Sequence, residues 1–242
     1  MRFKLKELKL LKNRAEIAEI RPGKVLINTI NAHSYNTAQK DLLFAESLKK
    51  CDVLLPDGVS IILACKMLSM KDRPEQRCPG WDLFVTDMEK LNKTGGKVMF
   101  MGSSEHVLGL IRERVFLDYP NLEVETYSPP FKAEFSVDDN KAIIAAINQA
   151  KPDLLWIGMT APKQEKWIYS HWNELDINCH AGSIGAVFDF YAGTVKRAPL
   201  SWQKLGLEWL HRLCSNPRKM WRRYLIGNPL FIWNVIREKI NL

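Results

Sequence analysis

The sequence lacks any long hydrophobic run. Its most apolar late stretch, Leu225 to Ile236, is interrupted by Gly227, Asn228, Pro229 and Asn234 and falls well short of the ~20 apolar residues that a spanning helix needs. The start, Met-Arg-Phe-Lys-Leu-Lys-Glu-Leu-Lys, mixes charged with apolar side chains and has no uninterrupted apolar region of the kind an export signal requires. Export is therefore not expected, and any membrane contact should be peripheral. Cysteine is scarce and unpatterned. The five, Cys51, Cys65, Cys78, Cys179 and Cys214, form no C-x-x-C pair and no zinc-type cluster with histidine, so reduced structural thiols in a cytosolic protein are the expectation. Internal repeats and low-complexity linkers are also missing, which leaves an ordinary globular chain. The glycines from Gly182 to Gly193 lack the G-x-G-x-x-G spacing, and no acidic residue follows a second strand at the required distance, so a dinucleotide fingerprint is excluded. Close backbone approach to a nucleotide and simple helix packing both remain open there.

What is present is enough for one full α/β domain and an appendage: 242 residues with 46% hydrophobic content. The formal charge of +8 points to anionic partners. Its distribution says more than its size. From Tyr191 onward ten basic residues, Lys196, Arg197, Lys204, Arg212, Arg218, Lys219, Arg222, Arg223, Arg237 and Lys239, face only Glu208 and Glu238. That stretch carries the whole net charge, so the picture is a basic tail on a nearly neutral body.

Short apolar runs recur at Val25 to Ile30, Val53 to Leu55, Val98 to Met101, Leu122 to Tyr127, Leu154 to Ile157 and Ile177 to His180, each reading as a buried strand. Helical patterns separate them, as in Leu42, Ala45 and Leu48, then Ile61, Ala64, Cys65 and Leu68, then Ile143, Ile144 and Ile147. Strand alternating with helix predicts a largely parallel sheet covered on both faces. Ser104 is a predicted cap after the third strand, and a further helix is expected to begin near Ser136. After Ala198-Pro199 the strand signal stops, and two helical segments are expected, Ser201 to Cys214 and Pro217 onward.

Several polar clusters follow predicted strands, where open α/β sheets bind ligands. Thr29-Ile30-Asn31-Ala32-His33 ends the first strand, and Pro56-Asp57-Gly58 follows the second. The commoner role for a lone aspartate there is a helix cap, but two such clusters at adjacent strand ends shift the weight toward a site. Arg77 to Asp82 places an arginine and an aspartate about a turn, which by itself reads as a capped helix start with a surface salt bridge. Gly158 to Trp167 combines a glycine, a proline at a helix start and a polar triplet, suited to a phosphate or sugar.

In order, these segments resemble the WecG/TagA/CpsF glycosyltransferases, glycosyltransferase family 26. The matching pieces are Thr29-x-Asn31, Pro56-Asp57-Gly58, Arg77 with Gly80 and Asp82, Gly158-x-x-Ala161-Pro162-Lys163-Gln164-Glu165, Phe188-Asp189-x-x-Ala192-Gly193, Val195-Lys196-Arg197-Ala198-Pro199 and Leu205-Gly206-Leu207-Glu208-Trp209-Leu210-x-Arg212-Leu213. They span nearly the whole chain after its first twenty residues. The resemblance implies an α/β fold, a Rossmann-like and mostly parallel sheet with helices on both faces over residues 1–199, followed by a helical, basic, membrane-associating appendage at 200–242. It implies inverting transfer from a UDP-sugar to an undecaprenyl-pyrophosphate-linked sugar, in the assembly of teichoic acid, capsule, exopolysaccharide or common antigen, at the inner face of the cytoplasmic membrane. Asp57 then matches the general base and Thr29 its neighbour, and Asn31, Arg77 and Gln164 belong to the same pocket. Asp82, Gly158, Lys163, Glu165, Gly185, Asp189, Arg212, Arg218 and Arg222 complete the expected substrate-binding set. His33 to Asn36 and Trp81 depart from the best-known ManNAc-transferring members, which leaves ManNAc, ManNAcA and glucose open as donor sugars.

An inverting transferase needs one carboxylate to take a proton and cations to receive the leaving diphosphate. No D-x-D occurs in the chain, so no metal cofactor is expected and arginine must serve: Arg77 from the body, with Arg212, Arg218, Arg222 and Arg223 from the tail. Trp202, Leu205, Trp209, Leu210 and Leu213 form a stripe expected to pack on the core. Trp221, Tyr224, Leu225, Phe231 and Trp233 among arginines read as an interfacial anchor. A nucleic-acid-binding tail is the main rival; no nucleic-acid motif is present, so nucleic acid is not expected as partner. A non-catalytic nucleotide-sugar-binding subunit is the second rival, and homo-oligomers are compatible with the apolar surface.

Overall fold

The computed structural model describes residues 3–240. Its centre is a six-stranded sheet of β1 (Val25–Ile30), β2 (Val53–Pro56), β3 (Gly96–Met101), β4 (Leu122–Tyr127), β5 (Leu154–Ile157) and β6 (His180–Ser183), in spatial order β2-β1-β6-β5-β3-β4. Every neighbouring pair is parallel. The helices are α1 (Ala15–Ala18), α2 (Ala32–Ala38), α3 (Leu42–Lys49), α4 (Val59–Met67), α5 (Gly80–Thr94), α6 (Glu105–Asp118), α7 (Val137–Ala150), α8 (Lys163–His171), α9 (Gly185–Tyr191), α10 (Leu200–Lys204), α11 (Glu208–Ser215), α12 (Pro217–Trp221) and α13 (Gly227–Lys239), with a π-helical turn at Arg222–Ile226 before α13.

Strand β1 reads Val-Leu-Ile-Asn-Thr-Ile, and all but Thr29 are buried, as a strand covered on both faces requires. Alternate residues meet two layers. Ile27, Phe100 and Trp156 face α5, α6 and α9 through Leu83, Phe84, Ile111, Phe188 and Tyr191. Leu26, Met99 and Leu155 face α7 and α8 through Ile143, Ile147, Trp167 and Ile168. The predicted caps are in place: Ser104 accepts from the Val107 N–H, and Ser136 forms a reciprocal capping box with Asp139 at the start of α7.

Strand β6 lies three residues later than its apolar run suggests. Ile177 and Cys179 are buried with the α7–α8 layer, while the strand itself is His-Ala-Gly-Ser. Small residues are needed because the Trp156 ring crosses this strand: a Cβ on Gly182 would stand 2.4 Å from it. The α/β fold with helices on both faces is as expected from the sequence.

Alongside β2, Phe3, Leu5, Leu8 and Leu10 form a third apolar cluster with α2, α3 and α4, joined by Phe231 and Val235 of α13. The expected helix from Ser201 to Cys214 is two helices, broken at Gly206 with φ 72°. A Cβ at Gly206 would lie 2.8 Å from Val59 Cγ2, so the break presses directly on the start of α4. None of the residues of α10 or α11 is buried, and Leu205 is 72% exposed. The apolar stripe expected to enter the core therefore lies over the body's rim instead. Among the described residues no helix is long and apolar enough to cross a membrane.

The connections position the site. Helix α3, after β1, is tied to α8 by the Lys166–Asp41 pair at 2.8 Å, whereas α9, after β6, packs on the opposite face. The elements that follow β1 and β6 thus leave the sheet on opposite faces, the topological position at which open α/β sheets bind ligands.

Candidate active site

Asp57 follows β2 and continues its ladder, its N–H donating to the Ile30 carbonyl at 2.8 Å. The N-cap of α4 is Gly58, at φ 127°, with no side-chain cap. Asp57 is thus not the helix cap that its position suggested, and among the described residues no hydrogen bond or ion pair occupies its carboxyl. It sits crowded by protein on most sides yet keeps partial exposure. Burial pushes its proton affinity up, the charge of Glu208 adds to this, and Arg212, Arg77 and Arg223 oppose it; the net direction is well above the ordinary carboxylate range. A carboxyl so shifted and left without a partner is suited to exchanging protons.

The surrounding charges come from distant segments. The Cys78 N–H donates to the Pro56 carbonyl at 2.8 Å, which pins Arg77 beside the end of β2. Arg77 Nη1 pairs with Glu208 at 3.0 Å, and Arg212 Nη2 reaches the other oxygen of Glu208 at 3.2 Å. The Arg212 guanidinium lies 4.9 Å from the Phe190 ring centre, and that of Arg197 lies 5.0 Å from Trp81. Arginine over an aromatic face is held in place while its edges stay available. The Nε atoms of Arg197, Arg212 and Arg223 are buried without a partner, and such donors are costly unless an anion meets them. His33 is driven down to about 4 by burial and by the neighbouring Arg223, so its imidazole is neutral near pH 7.

The other expected residues divide clearly. Thr29 lies near the carboxyl end of β1, its Cγ2 3.5 Å from where a Cβ on Gly80 would be. Asn31 caps α2, its Oδ1 accepting from the His33 and Ser34 N–H groups at 3.0 Å each. Asp82 pairs with Arg14 at 2.8 Å rather than with Arg77. Gly158 and Gly185 are sites of close packing: a Cβ would fall 2.3 Å from the Phe188 ring in the first and 2.3 Å from the Met159 carbonyl oxygen in the second. Gln164 braces the two strand ends, its Oε1 accepting from the Met159 N–H at 3.1 Å and the Gly185 N–H at 3.2 Å. Its Nε2 donates to Glu165 at 2.8 Å, and Glu165, buried at 2% exposure, is pushed up to about 7 by burial. Lys163 is drawn toward the loop after β4, donating to the Lys132 carbonyl at 2.5 Å, 3.5 Å from the Phe135 ring centre. Asp189 is half-buried, raised by burial, and engaged by Thr194 Oγ1 at 3.4 Å.

Of the four tail arginines, Arg212 and Arg223 are turned to Asp57, whereas Arg218 and Arg222 are exposed and Arg222 lies over Trp221. Arg222 and Arg223 both lie in the π-helical turn, a wider turn of a kind that recurs at functional sites. Arg197, His33 and Glu208 were not among the expected site residues, although the segments that hold them, the cluster ending β1 and two of the family-like runs after Tyr191, were marked in the sequence.

The profile of the Glycosyl transferase WecG/TagA/CpsF family matches residues 3–242. The chain is 30% identical over 88% of its length, and 79% of the relative's, to an N-acetylglucosaminyldiphosphoundecaprenol N-acetyl-beta-D-mannosaminyltransferase of Bacillus spizizenii. It is 29% identical to the Bacillus subtilis protein of that name, over 89% of this chain and 80% of the relative, and 26% identical to one from Staphylococcus aureus, over 89% and 81%. With a match that runs through both the strand ends and the arginine-bearing helices beyond them, the chain belongs to the WecG/TagA/CpsF family and is a glycosyltransferase.

Proposed function

We propose that this protein transfers N-acetylmannosamine, with inversion, from its UDP-activated form to a GlcNAc-diphosphoundecaprenol acceptor in the synthesis of a cell-wall polymer. The acceptor and sugar follow the names of its relatives; ManNAcA and glucose are the other donors to include in a panel. The observation that carries the reading is the unpartnered, upshifted Asp57 carboxyl among Arg77, Arg212 and Arg223. Asp57 takes the proton of the acceptor hydroxyl as that oxygen bonds to the anomeric carbon. The bond from this carbon to the diphosphate breaks on the opposite face, and the electron pair leaves with UDP. A well-placed base contributes roughly 10²–10⁴-fold to such a step. Guanidiniums receive the departing charge, and we propose that no metal ion is required.

The acceptor is lipid-linked, and the outer face of the tail suits a lipid surface. Trp221, Leu225, Ile226, Ile232 and Trp233 are exposed beside Arg218, Lys219 and Arg222. Each basic residue near anionic lipid gains about 1 kcal/mol, which supports reversible, peripheral attachment at the inner face of the cytoplasmic membrane. The deciding experiment is Asp57→Asn with a panel of UDP-sugars and the lipid acceptor, the product read by mass. Loss of turnover with UDP binding retained supports the reading; undiminished turnover, or turnover abolished in the wild type by a chelator, would sink the corresponding part of it.

A further inference from the structure

Glu208 is the only acidic residue between Leu200 and Ile226, in a stretch that holds Lys204, Arg212, Arg218, Lys219, Arg222 and Arg223. Its side chain is 17% exposed, and its two oxygens are used separately, one by Arg77 of the body at 3.0 Å and the other by Arg212 of its own helix at 3.2 Å. Arg77 and Arg212 also act electrostatically on Asp57, so the two carboxyls are coupled through them. The two carboxyls fare differently. Burial opposes the charge on Glu208, but Arg212, Arg77 and Arg197 outweigh it and hold the group below its ordinary range. Asp57 moves the other way. Two carboxyls pushed apart by their surroundings take different roles in an acid–base site.

We propose that Glu208 is a positioning residue for the transfer: it docks the tail on Arg77, aims Arg212, and carries the fixed charge of a carboxylate pair in which Asp57 exchanges the proton. The inference rests on the reading of Asp57 as the base. The charged and titratable groups facing Asp57 are Glu208 and Arg212 of α11, Arg77 and Cys78 before α5, Arg197 before α10 and Arg223 of the π-helical turn. Removing the charge of Glu208 alone leaves the arginines in excess, which favours ionised Asp57 and weakens it as a base.

The test is a ¹³C NMR titration of the Asp57 carboxyl, assigned by its loss in Asp57→Asn, in the full-length wild type, Glu208→Gln, Glu208→Asp and Arg77→Gln. The expected midpoint falls in Glu208→Gln, stays near the wild-type value in Glu208→Asp, and rises in Arg77→Gln, which removes a cation. In Glu208→Gln the acid limb of kcat/KM moves to lower pH with the midpoint, and kcat at pH 7 falls roughly 10-fold, within the range of base catalysis. A merely structural role for Glu208 would leave the midpoint where it was, so an unmoved midpoint in Glu208→Gln overturns the proposal. If Glu208→Gln fails to fold, the double variant Arg77→Gln/Glu208→Gln decides: its midpoint is expected below that of Arg77→Gln alone, and an equal midpoint overturns the proposal. Absence of sugar transfer by the wild type would defeat the functional reading instead, and the titration would still judge Glu208.

Discussion

Residues 200–226 and 227–239 are consecutive, both mix aromatic with basic side chains, and they are attached to the body by different forces. Helix α13 is held by its core contacts. Phe231 is 4% exposed and Val235 0%, and the Phe231 ring meets Tyr35 edge-on at 5.3 Å. Buried Glu238 accepts from the Leu5 N–H at 2.9 Å, the Lys6 N–H at 2.8 Å and the Tyr35 hydroxyl at 2.6 Å. Helices α10 to α12 bury no residue. Apart from Tyr224 in the π-helical turn, their hold on the body is the Arg77–Glu208 pair, guanidiniums over rings, and the close approach of Gly206 to Val59. The half that meets Asp57 thus leans mainly on charged and cation–ring contacts, and α13 on apolar burial together with the hydrogen bonds of Glu238. The Arg77–Glu208 pair, with side chains 13% and 17% exposed, is screened by salt far less than a surface pair, so salt is a weak lever on α11 and loss of the partner charges a strong one.

The sharpest way to break this contrast is to remove the charge. Arg212→Ala combined with Arg223→Ala should lower kcat by about 10³-fold, on the scale of lost transition-state donors, with the melting temperature nearly unchanged. An equal loss of stability would mean that these arginines hold the fold. The converse is Phe231→Ala, expected to cost about 3–5 kcal/mol and to lower the melting temperature by roughly 10 °C for a chain of this size, while kcat per folded molecule stays within about twofold. Glu238→Gln should cost about 1–3 kcal/mol, since a charged acceptor of several buried donors is lost, and amide exchange at Leu5 and Lys6 should quicken. Smaller still is the response of amide exchange to salt: between about 0.05 and 0.5 M, opening of α11 should become easier by well under about 1 kcal/mol, because the Arg77–Glu208 side chains are mostly shielded from salt, with α13 unaffected.

A histidine at the other end of β6 supplies a control remote from both halves. Burial opposes protonation of His180, but its 2.9 Å bond to Asp87, that carboxylate's charge and the Arg21 carbonyl outweigh this and raise its proton affinity. Both ring nitrogens face acceptors, as in an imidazolium. A raised folded-state value means that the contribution is complete below the unfolded value of about 6.5 and is lost as pH rises through the folded one. The melting temperature should fall over that alkaline interval in the wild type and less so in His180→Gln, with the acid limb of activity at Asp57 unaffected. A shift in that limb would mean that the two sites are coupled.

Much of this molecule is legible from local pattern. Runs such as Val25 to Ile30 declare buried strands, Ser136 with Asp139 declares a helix start, and clusters after β1 and β2 mark the rim where Thr29 and Asp57 lie. The errors share a cause. The apolar run ending at His180 pointed to the wrong residues for β6, because the passage of the Trp156 ring, which requires glycine at 182, is a tertiary contact. The amphipathic stripe of α10 and α11 resembles a core helix in sequence, yet the break at Gly206 lays it across the rim.

By itself, then, the sequence determined the alternation of strand and helix, the parallel sheet and the strand end that bears Asp57, because each depends on neighbours within a few residues. Only the tertiary structure decided that Glu208 meets Arg77 and that Arg223, rather than Arg222, acts on Asp57. Charge pairing between segments more than a hundred residues apart leaves no period in the chain, and which of two adjacent arginines turns inward is set by packing rather than by composition.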